Sequence, residues 1–202
     1  MPGVYARAGK RVLDVTLAAA TLPVAAGVVL PAAVAVRLED GGPVLHVSPR
    51  LGRDRTPFGM LKLRTMRPGA PDVRNPDGTT YSAPDDPRTT RVGRVLRRTS
   101  VDELPQLLNV LAGQMSLVGP RPSPPGSQGG FRPADLRRYE TRPGITGLSQ
   151  VLLRNEGTLQ ERLELDVRYV DEVSLRLDLW VLALTVARVL GARGVYREAA
   201  RA

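Results

Sequence analysis

The run from Val15 to Val36 holds 22 consecutive residues without a charged side chain. That is the length a helix needs to cross the hydrocarbon core of a bilayer. Pro23, Gly27 and Pro31 punctuate the run. Proline in a helix interior removes a backbone donor and clashes with the preceding turn, so this spacing favours a bend or a break. Both flanks are basic. Arg7, Lys10 and Arg11 precede the run, and 26 of the 29 cations follow Val36 with 19 of the 20 acids. Basic flanks favour the cytoplasmic side. A simple crossing carries one of them outside. A broken helix that enters and leaves through one face keeps both inside, and such re-entrant backbone is tolerated where protein buries the break. A single-pass anchor and a buried core helix stay open on pattern alone. A cleaved signal peptide fits poorly, because the run is long for an h-region and lacks a clear small-residue cleavage site.

Composition narrows the chemistry. The chain of 202 residues is long enough for one domain with a real core. It has no cysteine, which excludes disulfides, thiolate metal sites and thiol catalysis. His46 is the only histidine, which excludes a multi-histidine zinc site and a histidine-based triad. Carboxylates, hydroxyls, cations or a borrowed metal must carry any reaction. Lys10 and Lys62 are the only lysines, so 27 of the 29 cations are arginine and the net charge is +9. Arginine suits bidentate phosphate contact.

Past the apolar run, Gly41-Gly42-Pro43 is a turn. Val44 to Val47 reads as a short strand and Phe58 to Met66 as a second, with Lys62 and Arg64 on one face by period two. Residues 66–87 lack periodicity and read as a long loop. Val92 to Arg98 reads as a short basic helix. Leu104, Leu107, Leu108 and Leu111 recur at helical spacing, with Gly113 as the stop. Ser123 to Pro133 is a second loop, Ala134 to Thr141 a helix, Ile145 to Leu153 a strand and Thr158 to Val173 a charged helix. Asp178 to Leu190 is an apolar helix whose Trp180 suits either a membrane interface or a core.

The acidic pair Asp102 and Glu103 stands out. Ser100-Val-Asp-Glu103 fits a capping box, in which Glu103 only satisfies a backbone donor. Pro105 sits awkwardly with that register, because it would fall inside the helix. With Asp102 near the cap, Pro105 falls in the tolerated first turn, and both acids stand at the positive helix end, where phosphate also binds. A carboxylate can attack phosphorus, and a second can hold Mg²⁺. Prolines on both sides stiffen the turn that carries Arg121, which makes its guanidinium a good phosphate clamp.

These residues resemble the bacterial sugar transferases, the monotopic phosphoglycosyl transferases that start lipid-linked glycan assembly. The resemblance is carried by Lys10-Arg-Val-Leu-Asp14, Gly41-Gly-Pro-Val44, Lys62-Leu-Arg-Thr-Met66 and Asp86-Pro-Arg88. It continues through Leu96 to Gln106, Met115 to Pro122 and Arg142 to Gln150, with Asp166, Tyr169 and Asp178 beyond. It covers nearly the whole chain in order and matches the minimal form of the family. It implies an α+β, mostly helical fold. Residues 1–40 would form a re-entrant membrane helix hairpin broken at Pro23. Residues 41–202 would form a compact cytoplasmic catalytic domain with short strands and interfacial helices.

The implied reaction moves a sugar 1-phosphate from a UDP-sugar to undecaprenyl phosphate and releases UMP, at the cytoplasmic face of the bacterial inner membrane. Asp102 would be the nucleophile and Glu103 the Mg²⁺ ligand. Arg121, Lys62, Arg64 and Arg98 would be the phosphate contacts. Three departures touch packing: Leu22 stands where a serine often precedes the break proline, His46 where an aromatic is common, and Leu63 where a phenylalanine is common. Ser48-Pro-Arg50 also replaces a usual Gln-x-Arg. The competing reading is a membrane-anchored basic module that binds anionic lipid or nucleic acid without catalysis. Nucleic acid is the weaker partner there, since aromatics are only 4% and the arginines are dispersed. Neither the sugar nor the oligomeric state is legible.

Overall fold

The structure is a computed structural model and describes residues 5–73, 81, 83, 86–153 and 157–190. It is α+β and mostly helical, as expected. Helix α1 (Lys10–Asp40) follows a short π-helical turn at Tyr5–Gly9. Strands β1 (Leu45–Leu51) and β2 (Pro57–Leu63) form an antiparallel hairpin. Helices α2 (Arg91–Thr99) and α3 (Gln106–Leu111) come next. Strands β3 (Ser116–Val118) and β4 (Gly144–Thr146) pair in parallel. Helices α4 (Leu148–Leu153), α5 (Leu159–Glu172) and α6 (Leu175–Leu190) complete the described chain.

Helix α1 runs without interruption through Pro23 and Pro31, which corrects the expected break in helical structure at Pro23. Among the described residues it is the one helix long and apolar enough to cross a membrane. One stripe of it lies on the rest of the fold. Ala18, Leu22 and Ala25 pack with Met60, Leu107, Val110 and Met115. Val29, Ala32, Ala33 and Val36 pack with Leu63, Leu96, Val92 and Val101. These positions recur every three or four residues, so they share one helix face. Val24, Leu30, Val34 and Leu38 fall off that stripe and are mostly exposed.

Polar contacts pin both ends of α1 to the same body. Near the start, Lys10 Nζ lies 2.8 Å from Asp178 of α6, and Asp14 accepts from Ser116 Oγ (2.7 Å) and Leu117 N (3.0 Å) of β3. Near the end, Arg64 bonds both carboxylate oxygens of Asp40 at 2.5 and 2.7 Å. Glu39 accepts from the backbone N–H of Arg91 at 2.7 Å and so caps α2 from outside.

Several local expectations shift. The hairpin is longer than the sequence suggests, because β1 continues through Pro49 to Leu51 before the 3₁₀ turn Arg53–Arg55. Ile145 to Leu153 is not a strand, since pairing stops at Thr146 and α4 begins at Leu148. Strand β3 was not anticipated, because three residues are too few to show a period. The helix expected over Ala134 to Thr141 is a 3₁₀ segment, Pro133–Glu140. Trp180 is 44% exposed on α6, which removes the core alternative. The expected long loop lies partly outside the described residues. Helix α5 starts as its sequence predicts, with Thr158 and Glu161 capping reciprocally.

Candidate active site

The acidic pair is placed by a chain reversal. Ser100 ends α2 in the left-handed region, φ 57° and ψ 17°. An N-cap residue needs extended backbone, so Ser100 cannot cap forward, and its side chain makes no cap bond. The capping-box alternative is therefore ruled out. Val101–Glu103 instead forms a separate 3₁₀ turn, and Pro105 stands just outside α3, where its missing N–H costs nothing. Helix α3 has six residues and starts three positions past Glu103. The helix-end phosphate site anticipated from the sequence is thus too remote and too short to act.

Asn109 aligns this turn with β2. Its side chain accepts from Leu61 N (2.9 Å), donates to Gly59 O (2.8 Å) and donates to Gln114 Oε1 (2.7 Å). It is 2% exposed. A buried amide with its groups satisfied at three partners fixes register between α3 and β2. Sequence reasoning gave Asn109 no role. The available signal was a polar residue between Leu108 and Val110 in an otherwise apolar helix.

Lys62 on β2 then meets Glu103, with Nζ 2.7 Å from Oε1. Burial works to raise the Glu103 pKa, but the Lys62 charge, the Arg121 charge and the Lys62 hydrogen bond outweigh it. Glu103 is held below the ordinary glutamate range. Asp102 behaves oppositely. It is 7% exposed and forms no ion pair among the described residues. Burial pushes its pKa up, the Lys62 charge pulls it down, Glu103 pushes it up, and Arg97 pulls it down; the net direction is upward. Two neighbouring carboxylates thus differ in environment, one paired with a cation and one buried beside the pair.

Arg121 stands on the Gly119–Pro122 turn, exposed, with its charge felt by Glu103. The turn packs so closely on β4 that a Cβ on Gly119 would come 2.4 Å from Arg142 O. Only glycine fits there. Lys62, Asp102, Glu103 and Arg121 are therefore brought together.

Arg64 and Arg98 are not. Strand β2 ends at Leu63, so the period-two face does not extend to Arg64. Its buried guanidinium is committed to Asp40, Pro43 O and Met66 O. Asp40 in turn is held down at about 2 by hydrogen bonds from Arg64 and the Gly42 N–H. Arg98 is exposed on α2, and no ion pair links it to the acids among the described residues. Its neighbour Arg97 is the one whose charge reaches Asp102, pinned by Thr65 Oγ1 (2.9 Å) and Thr89 Oγ1 (3.2 Å). Adjacent helical residues point about 100° apart, which is enough to separate their roles.

The sequence profile of bacterial sugar transferases matches residues 5–192. The chain belongs to the bacterial sugar transferase family. A similar protein from Bacillus subtilis (strain 168), described as the uncharacterized sugar transferase EpsL, is 42% identical over 92% of this chain and 89% of its own length. The UDP-glucose:undecaprenyl-phosphate glucose-1-phosphate transferase of Caulobacter vibrioides is 42% identical over 97% of this chain and 75% of its own length. The exopolysaccharide production protein ExoY of Rhizobium meliloti is 37% identical over 93% of this chain and 88% of its own length. In this bacterial sugar transferase the buried Asp102, the Glu103–Lys62 pair and the arginine turn stand together.

Proposed function

We propose that this sugar transferase moves a sugar 1-phosphate from a UDP-sugar to undecaprenyl phosphate, as the first membrane step of exopolysaccharide or related glycan synthesis. The carrying observation is Asp102, a buried carboxylate that forms no ion pair among the described residues, flanked by the Glu103–Lys62 pair and the Arg121 charge. The activity for which the Caulobacter relative is named supports the substrate pair.

In the first half-reaction an Asp102 oxygen attacks the β-phosphorus of the donor. The bond from that phosphorus to the bridging oxygen breaks, and UMP leaves with the electron pair. In the second, a phosphate oxygen of the polyprenyl acceptor attacks the phosphosugar on Asp102. The acyl–phosphate linkage breaks, the lipid diphosphate sugar departs, and Asp102 is regenerated as a carboxylate. Lys62 lowers the cost of ionising Asp102 in its buried setting. Arg121 and Lys62 hold phosphate oxygens while charge redistributes.

Glu103 fits a Mg²⁺ ligand. It is held ionised, and Mg²⁺ is commonly bound by one or two carboxylates together with substrate phosphates. Among the described residues no three acidic or histidine side chains converge to form a cage, so the remaining ligands would come from the donor and water. Mg²⁺ there would offset repulsion between the anionic acid and the anionic phosphates.

The membrane placement rests on α1. Both of its ends are pinned to one catalytic body, by Lys10 and Asp14 at one end and Glu39 and Asp40 at the other. A helix that crossed a bilayer would leave one of these sets on the wrong side. A helix seated along the cytoplasmic face keeps both sets there, with the exposed Val24, Leu30 and Val34 toward lipid.

The test is UMP release from a panel of UDP-sugars with undecaprenyl phosphate and Mg²⁺, with and without chelator. UDP-glucose is the first donor to offer. Multiple-turnover release that needs both lipid and metal is expected, with at most one equivalent of UMP per enzyme when lipid is withheld. Absence of UMP with every donor, from folded protein in detergent or lipid, would sink the reading.

A further inference from the structure

The Arg121 turn presents a physical problem that its own residues cannot solve. Pro120 and Pro122 fix two φ angles but supply no N–H, so the turn must be held largely through its carbonyl oxygens. Pro120 O accepts from Gly144 N at 2.9 Å. Arg121 O accepts from the guanidinium of Arg138, with Nη2 at 2.6 Å. The same guanidinium donates through Nη1 to Ser123 Oγ, two residues on, and so grips the chain on both sides of Pro122. Its charge is matched by Asp166 of α5, with Nη2 2.6 Å from Oδ2. Asp166 is held in turn by Ser149 Oγ of α4 at 2.7 Å. Arg138 is 6% exposed and Asp166 2%. The rings of Phe131 and Tyr139 lie 5.6 and 5.5 Å from the guanidinium carbon.

Sequence reading gave Arg138 no role and gave Asp166 only a place in a pattern. The Arg121 charge is felt by Glu103 on one side and by Asp166 on the other. The reactive pair and the buried pair therefore meet at Arg121.

We propose that Arg138 and Asp166 are a positioning pair that sets where the Arg121 guanidinium stands over the acidic pair during phosphoryl transfer. This rests on the function proposed above. Neither residue touches the reacting atoms, since both act through the Arg121 carbonyl and the Ser123 hydroxyl. The planar fork of arginine is needed because one side chain must serve a carbonyl, a hydroxyl and a carboxylate together. A lysine ammonium is a compact point donor and cannot span all three. Displacing a phosphate clamp by about 1 Å can cost on the order of a hundredfold in rate.

The experiment is a double-mutant cycle on kcat and KM for UMP release, with folding checked by thermal unfolding. Arg138→Lys is the primary variant, since it keeps the charge opposite Asp166. It is expected to lower kcat by about tenfold to a hundredfold, with a smaller change in donor KM. In an Arg121→Ala background the same substitution is expected to lower kcat by less than about twofold, because there is no clamp left to misplace. A merely structural role for Arg138 predicts the same loss in both backgrounds, and that result overturns the proposal. Wild-type kcat in Arg138→Lys overturns it too. Should Arg138→Lys fail to fold, Ser149→Ala loosens Asp166 more gently and is read through the same cycle. Failure of the parent reading is distinguishable, because Asp102→Asn would then retain turnover whatever Arg138 does.

Discussion

Two buried clusters of charge invite comparison, one at the start of α1 and one at the acidic turn. In the first, Asp178 accepts from Lys10 Nζ (2.8 Å), Tyr5 OH (2.5 Å) and Tyr169 OH (2.7 Å), while Asp14 accepts from Ser116 and Leu117. Each carboxylate is surrounded by donors. Burial, hydrogen bonds to Asp178 and its charge push both tyrosines well above their ordinary range, so they stay protonated as donors. In the second cluster Glu103 has one ion-pair partner and Asp102 has none among the described residues, although Asp102 is also buried. A saturated buried carboxylate is inert and fixes geometry. An under-compensated one is poised to react, at a cost in stability. The difference separates scaffold from site more sharply than residue type does, since both clusters set two carboxylates beside one lysine.

Replacing Asp102 with Asn is the most severe way to break this comparison. UMP release should fall at least about a thousandfold, because the amide is no nucleophile. The sign for stability runs the other way. The folded-state pKa of Asp102 is raised, so the native state binds more protons than the unfolded one between the two pKa values. Stability therefore falls as pH rises through that window. Asn removes that penalty, and the melting temperature at neutral pH should rise by a few degrees. A lower melting temperature would contradict the under-compensated picture.

Lys10→Met attacks the other cluster. It leaves Asp14 and Asp178 buried without their cation, which should cost about 3–5 kcal/mol by denaturant unfolding. The folded fraction should keep its kcat. A loss of kcat without loss of stability would erase the scaffold–site distinction.

Lys62→Met sharpens the contrast. Lys62 opposes the upward shift at Asp102, so its removal should move the acid limb of kcat/KM to higher pH. An unmoved limb would mean that Asp102 is not the titrating group. Arg64→Lys gives a smaller effect. It should lower stability by about 1–3 kcal/mol through the loss of the bidentate Asp40 contact, and leave donor KM within about twofold. A large KM change would return Arg64 to phosphate binding. Arg98→Ala is the mildest, within about 0.5 kcal/mol in stability and a few-fold in KM, as expected for an exposed residue.

Much was written in local pattern. The apolar run announced α1, the Thr158–Glu161 box announced α5, and Gly113, at φ 80°, stopped the leucine-spaced helix. The acids Asp102 and Glu103 were legible because their neighbours restrict them. Pro105 argued against a simple cap, and the turn bore that out. What was not legible depended on partners distant in sequence. Lys62 and Arg64 looked equivalent by period, yet the register ended between them. Arg97 and Arg98 looked equivalent by charge, yet one faces Asp102 and the other solvent.

The sequence by itself determined that this chain carries a long apolar helix, two adjacent acids and a proline-stiffened arginine, because these are properties of neighbours along the chain. Tertiary structure alone decided which cations meet those acids, which acids are saturated, and that Arg138 holds the Arg121 turn. Those outcomes depend on burial and on contacts spanning 15 to 168 residues. Such contacts form only when the hydrophobic faces of α1, β2, α3 and α5 have packed, and packing sets the environment that tells a structural carboxylate from a reactive one.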